Sequence, residues 1–318
     1  MSDTHFAMQR NSSTATVLVG LSLLLGIMYT DSAYSQEQPK LQMEEVASFS
    51  VPDSFAVLGA QMSPSGSIIL WASNQPYLLV EDRGSLRPLA HDSLSAPVAA
   101  ALVENDSVVE VVDAESRALI RITLAGRIVS RQTIASPLAI KQARHSPLGW
   151  VLLGQLPDSS LAVTRIASNG WMQLYNNASI ASLRSVHMLP WKEGVILSAT
   201  SNQYGAWAFA PPDAAPILTF ENISLPDGMD GSEADQGLWV SLPLVQLDRG
   251  FLRTISDLRS DRRLLVLYDH AGRVMRQQVL NVPFGVLAAA PDSQVLVAAR
   301  RGQTLEVVRY RWRWADIQ

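Results

Sequence analysis

Short runs rich in Val, Ile, Leu and Trp recur along the chain, each bracketed by Gly, Pro, Asn, Asp or Ser. No long stretch repeats the 3.6-residue apolar period of an amphipathic helix, so the pattern predicts an all-β protein. One class of run is almost continuously apolar. Its copies begin near Ile68 (IILWAS), Val108 (VVEVVD), Val151 (VLLGQL), Val195 (VILSAT), Phe251 (FLRTISDL) and Val295 (VLVAAR), at spacings of 40, 43, 44, 56 and 44 residues. Each follows a turn, such as Ser63-Pro64-Ser65-Gly66 or Asp248-Arg249-Gly250. Each precedes a second run, such as YLLVED (77–82), ALIRITL (118–124) or RLLVLYD (263–269). A more polar third run opens after Gly126, Gly170 and Gly272. A proline linker often comes next, at Val51-Pro52, Ala96-Pro97, Ser136-Pro137 and Val282-Pro283. Proline fits there because a strand start can spare a ladder donor.

The unit is therefore four antiparallel strands in about 40–45 residues, the size of a propeller blade. Six copies are present, and the sixth shows only three runs before Gln318. The N-terminal run LQMEEVASFSVP (41–52) reads as the missing outer strand; compare RVMRQQVLNVP (273–283). The expectation is a six-bladed β-propeller over 41–318, closed by its N-terminal strand so that no open edge remains between first and last blades. A seventh blade is the alternative if the 56-residue interval hides a degenerate unit.

The blade-end units Leu267-Tyr268-Asp269-His270-Ala271-Gly272-Arg273 and Val282-Pro283-Phe284-Gly285, with an echo in Leu124-Ala125-Gly126-Arg127, carry a family likeness. Over about 42–314 the chain resembles the NHL and TolB-like six-bladed propeller superfamily, and bacterial exported six-bladed propeller proteins. Blades 1 and 4 depart from the motif, with Arg83-Gly84 and Pro211-Pro212-Asp213 at the corresponding turns. The resemblance implies fold rather than function. It also implies that connections from outer to inner strands share one face with the loops between second and third strands, and that ligands use that face.

The first 35 residues do not fit the repeat. Arg10 precedes a 13-residue apolar run (Val17–Tyr29), and Ala33 and Ser35 end a small-x-small site before Gln36. This is the layout of a signal peptide cleaved near Ser35-Gln36, and the run is short for a membrane span. Residues 36–40 read as a polar lead-in, and the expected location is extracytoplasmic, periplasmic or secreted. Membrane contact is expected only through the signal segment, if uncleaved.

Composition narrows the chemistry. The 318 residues carry a net charge of −4, which offers no basic face for nucleic acid. With no cysteine, disulfides, zinc-thiolate sites and thiol nucleophiles are excluded. The GxSxG, Walker A and GxGxxG patterns are absent. His91, His145, His187 and His270 are not spaced as a local metal motif. The inner runs are poor in carboxylates, which counts against the axial calcium of lactonase-like propellers.

The 56-residue interval holds an insertion, about 221–237, that is expected to overhang the funnel mouth. Its Asp227, Asp230, Glu233 and Asp235 are the candidate calcium ligands, since calcium takes six to eight oxygens; the EF-hand spacing is absent, and a solvated loop is the plainer reading. On the same face lie Arg117, Asn202, Tyr204, Arg259, Arg262, Arg300 and Arg301, a set suited to an anion because guanidinium forks grip carboxylate or phosphate. Trp312 and Trp314 alternate with Arg311 and Arg313, which places both rings on one strand face, expected between blades 6 and 1. The functional expectation is an exported, non-enzymatic binding or scaffold propeller for a small molecule, peptide or protein. A metal-dependent lactonase or hydrolase with an axial site is the alternative.

Overall fold

The apolar runs become strands that sort into six antiparallel sheets. The computed structural model describes residues 41–72, 75–166, 172–175, 186–200, 205–210, 215–223, 239–257, 260–281, 284–290, 294–301 and 304–314. β1 (Leu41–Val51) is followed by blade 1, made of β2 (Val57–Met62), β3 (Ile68–Ala72), β4 (Tyr77–Asp82) and β5 (Ser85–Ala90). Blade 2 is β6 (Pro97–Val103), β7 (Val108–Asp113), β8 (Ala118–Thr123) and β9 (Ile128–Thr133). Blade 3 is β10 (Ala139–Ser146), β11 (Gly149–Gln155), β12 (Leu161–Ile166) and β13 (Met172–Tyr175). Blade 4 is β14 (Val186–Trp191), β15 (Gly194–Ala199), β16 (Ala206–Phe209) and β17 (Leu218–Thr219). In blade 5 the inner strand is interrupted, as β18 (Trp239–Ser241) and β19 (Val245–Leu247), ahead of β20 (Gly250–Asp257), β21 (Arg262–Tyr268) and β22 (Val274–Asn281). Blade 6 is β23 (Phe284–Ala290), β24 (Gln294–Arg301) and β25 (Thr304–Trp314), with β1 as its outer strand. The protein is thus a six-bladed propeller, and the long fourth-to-fifth interval belongs to an insertion rather than to a seventh sheet.

Burial explains the two kinds of run. Successive side chains of a strand point to opposite faces, and in a propeller both faces of a blade meet a neighbour. In β3, Ile69 and Trp71 pack toward blade 2, while Ile68, Leu70 and Ala72 pack toward blade 6. The second strands β3 and β15 are therefore buried throughout, whereas the outer strand β9 is almost wholly exposed. Five apolar clusters fill the gaps between blades, one of them spanning blades 1 to 3.

Trp312 corrects one expectation. It is buried, at 3% exposure, but it lies between blades 5 and 6, against Val245, Leu252, Leu265 and Val308. Alternation along β25 decides this. Val308 and Trp312 face blade 5, and Val307 and Arg309 face blade 1. Arg300 and Arg301, expected in a loop, instead end β24, paired with Leu305 and Thr304.

Ring closure rests on β1. It pairs with β25 from Leu41↔Trp314 to Val51↔Leu305, with a bulge at Val46. Its Phe49 and Val51 are buried against Phe55, Ile68 and Leu70 of the first blade side. Arg309 of β25 reaches across to blade 1, donating to the Gly66 carbonyl at 2.5 Å and to Glu81 Oε2 at 2.7 Å, with its guanidinium over the Phe49 ring.

Deleting 41–52 is expected to abolish the single cooperative melt and promote aggregation, because β25 then presents a bare edge. An unchanged calorimetric transition would refute closure by β1. Replacing Arg309 with Met strands Glu81 in a mostly buried place, and a urea melt is expected to show a loss of roughly 3 kcal/mol.

Candidate functional site

The innermost strands are the edges that converge on the axis, and they are irregular at one end. In β2, β6, β10 and β23 the register slips near the start, leaving Leu58, Val98, Lys141 and Leu287 without a ladder partner. A bulge bends its strand and re-aims the extra side chain. Leu58 is 51% exposed, and Lys141 is exposed too. An exposed side chain on an innermost strand has only the axial mouth to face. These bulges lie at the strand ends fed by the outer-to-inner connections, so they mark the mouth on the loop-rich face.

Other polar side chains join neighbouring inner strands. Gln61 accepts from the Leu102 amide at 3.1 Å, tying blade 1 to blade 2. Gln142 donates to the Val186 carbonyl at 2.7 Å and accepts from the Met188 amide at 3.1 Å, tying blade 3 to blade 4. His187 Nε2 lies 3.0 Å from the Ser241 carbonyl of blade 5. A carbonyl can only accept, so Nε2 carries the proton and Nδ1 is left as an acceptor.

Two cations, Arg144 and Arg253, act on His187. Arg253, fully buried on β20, donates to Ser241 Oγ and to the Ala199 carbonyl, both at 2.8 Å. It emerges opposite the break between β18 and β19, where Leu242 bonds the Thr254 carbonyl instead of continuing the ladder. Arg144 extends from β10 until its guanidinium lies 5.6 Å from the ring centre of Trp71 in blade 1. Burial pulls Arg144 down to about 10, so it stays charged at neutral pH. His187 is pushed down to about 4, by burial first, with Arg144 and Arg253 adding to the effect against the Ser241 bond.

The inner strands β2, β6, β10, β14, β18, β19 and β23 contain no Asp or Glu. Among the described residues no group of His, Asp and Glu could hold a metal ion. The axis is therefore positive in a chain of net charge −4.

The remaining buried polar groups serve the scaffold. On the loop-rich face Asp113 accepts from the Ser95 and Ala96 amides, at 2.7 and 2.8 Å, and from Ser116 at 2.8 Å. It thereby fastens the connection from blade 1 to the second turn of blade 2. Burial raises its carboxyl, but the amide donors outweigh it and hold the group below its usual 3.8. Between blades 2 and 3, Glu110 accepts from Trp150 Nε1 at 2.8 Å and pairs with Arg121 at 3.2 Å, with His145 Nε2 3.9 Å away. Burial lowers His145, and Glu110 opposes it.

Of the residues expected at the ligand face, Arg117 is exposed on the turn after Asp113, with a left-handed φ of 49°. Arg262 opens β21 half-buried, and it is the adjacent Arg263 that closes the turn by donating to the Asp257, Ser260 and Arg262 carbonyls. Asn202, Tyr204, Arg259 and the acidic residues Asp227, Asp230, Glu233 and Asp235 lie outside the described residues, as do the side chains of Arg300 and Arg301. Arg144, His187 and Arg253 were not singled out from sequence. The available signal was the presence of Lys141, Arg144, His145 and His187 in otherwise apolar inner runs.

No protein-family model matches the chain, and no curated protein matches it. Solved structures do resemble it. A candidate exported protein of Bacteroides fragilis aligns with TM-score 0.56 at 9% identity, covering 87% of this chain and 96% of that one. The PQQ-bound aldose sugar dehydrogenase of Streptomyces coelicolor gives 0.54 at 12%, covering 86% and 100%. A gluconolactonase of Xanthomonas campestris gives 0.52 at 13%, covering 87% and 96%. These likenesses establish the propeller fold, on which proteins of mixed function are built.

His187 and Asp113 both contribute to a pH dependence of stability. Between about 6.5 and 4 the unfolded chain takes up a proton at His187 that the folded chain refuses, so stability falls as pH drops through that window. Asp113 acts lower: its contribution is complete above 3.8 and is lost as pH falls through its depressed folded value. Urea melts from pH 7 to pH 4 are expected to show a shallower loss in His187→Gln than in the unsubstituted protein. Equal slopes would mean that His187 is not held neutral.

Proposed function

We propose that the protein is an exported binding propeller that takes its ligand at the axial mouth of the loop-rich face, without a resident metal. The observation that carries this reading is the composition of the axis. The described inner strands bring Lys141, Arg144 and His187 to the centre and no carboxylate. The exposed apolar residue Leu58 at the rim adds a surface for an apolar part of a ligand, as is usual in concave small-molecule sites. Export is supported by the N-terminal charge, apolar run and small-x-small site, and by the described character of the similar protein from Bacteroides fragilis.

The hydrolase reading draws on the likeness to a gluconolactonase, which is a likeness of fold. An axial metal needs oxygen ligands, and the described inner strands supply no carboxylate for one.

Elemental analysis of the purified mature protein, with melts before and after EDTA dialysis, tests this choice. The expected outcome is no stoichiometric divalent metal and a melting temperature unchanged within about 1 °C. A stoichiometric metal retained in an Asp227→Asn, Asp230→Asn variant would place it on the axis and overturn the metal-free reading. A metal lost in that variant would locate it in the insertion and leave the axial reading standing. N-terminal mass analysis after periplasmic expression is expected to begin at Gln36.

A further inference from the structure

Arg144 lies near parts of three blades. It is rooted in blade 3, lies over the Trp71 ring of blade 1, and is close enough to His187 of blade 4 for its charge to act there. A side chain with such neighbours must enter the central channel, the only place where those blades converge. It is half-buried, as expected for a group lining a channel.

What Arg144 lacks is an acceptor. Among the described residues its guanidinium meets one carbonyl, that of its neighbour Ala143, at a long 3.4 Å. No carboxylate pairs with it there. Trp71 has the same deficit: its Nε1 is buried and meets no acceptor. The buried Trp71 donor is costly unless something accepts from it, and the half-buried Arg144 guanidinium beside that ring is free to hold a ligand that does so.

The surroundings keep both donors where they are. A Cβ at Gly59 would sit 2.4 Å from Trp71 Cζ2, so the glycine is what lets the indole lie over β2. Ala99, Ala100 and Ala101 of blade 2 belong to the same buried apolar cluster as Trp71 and bring no side-chain acceptor to it. The side-chain oxygen of Gln142, on the same strand, is already engaged with the Met188 amide, and its amide group with the Val186 carbonyl.

We infer that the channel holds a small oxyanion, gripped by the Arg144 fork with Trp71 Nε1 as a second donor, and that the natural ligand carries a carboxylate there. A carboxylate matches the planar fork in two parallel bonds, and the positive axis favours its charge. The inference names the chemistry of the axial ligand and rests on the metal-free reading above.

The test is anion-dependent stabilisation at pH 7 and constant ionic strength, with EDTA present, comparing acetate, sulfate and phosphate against chloride. Acetate is expected to raise the melting temperature of the unsubstituted protein by about 2–4 °C at saturation. Arg144→Met is expected to lose the response. Arg144→Lys, which keeps charge without the fork, is expected to bind about tenfold more weakly, and Trp71→Phe, which keeps the ring without the donor, to weaken binding less. Circular-dichroism melts in chloride identify any variant that has simply lost its fold, and Trp71→Phe serves in place of Arg144→Met if so. A larger rise in phosphate than in acetate would assign an inorganic or phosphoryl ligand and overturn the carboxylate assignment. An equal response in Arg144→Met, or none in the unsubstituted protein, would overturn the site itself. A response that appears only without EDTA would instead overturn the metal-free reading on which the inference rests.

Discussion

A sheet that is apolar on both faces has no stable existence by itself. In this protein each central strand sends alternate residues to opposite neighbours, as β3 does with Trp71 toward blade 2 and Leu70 toward blade 6. Each blade therefore needs two others, and only a ring satisfies all of them at once. The zipper of β1 on β25, the cross-blade grip of Arg309 and the placement of Trp312 all follow from that requirement.

The ring also creates the site. Six innermost strands arrive with free edges at a narrow axis, and their backbone groups need partners there. Gln61, Gln142 and His187 supply them by reaching to the next inner strand. Bulges near the starts of these strands turn other side chains toward the mouth, in β10 at Lys141 right beside Gln142. The same edges thus carry both side chains that bond the next strand and side chains open to the mouth.

Much of the fold is legible in the sequence because burial on two faces writes an uninterrupted apolar run, and a turn writes Gly, Pro or Asp on either side. The second strands and the closing strand were visible for this reason. The direction of Trp312 was not, because period-two alternation says which residues share a face but not which neighbour that face meets. The site was less legible still. Arg144 lies one residue past the apolar stretch that suggested the inner strand, and β10 continues to Ser146. A guanidinium that contacts Trp71, more than seventy residues away, leaves no local pattern. The loop-face set chosen from sequence captured exposed positions such as Arg117, while Asp113, which fastens that face, reads in sequence as the end of an apolar strand.

The pairing of β1 with β25 has a consequence for the history of each molecule. The first strand to leave the ribosome is the last to find its partner, and the contacts that join them span more than 250 residues of chain. Closing so long a loop delays the final step, and until then the nascent chain has no completed circle to resist unfolding. For the export proposed above, a polypeptide that stays open until its tail arrives is suited to threading through a narrow translocation pore before it folds. The geometry that makes the finished ring hard to open also keeps the unfinished one easy to move.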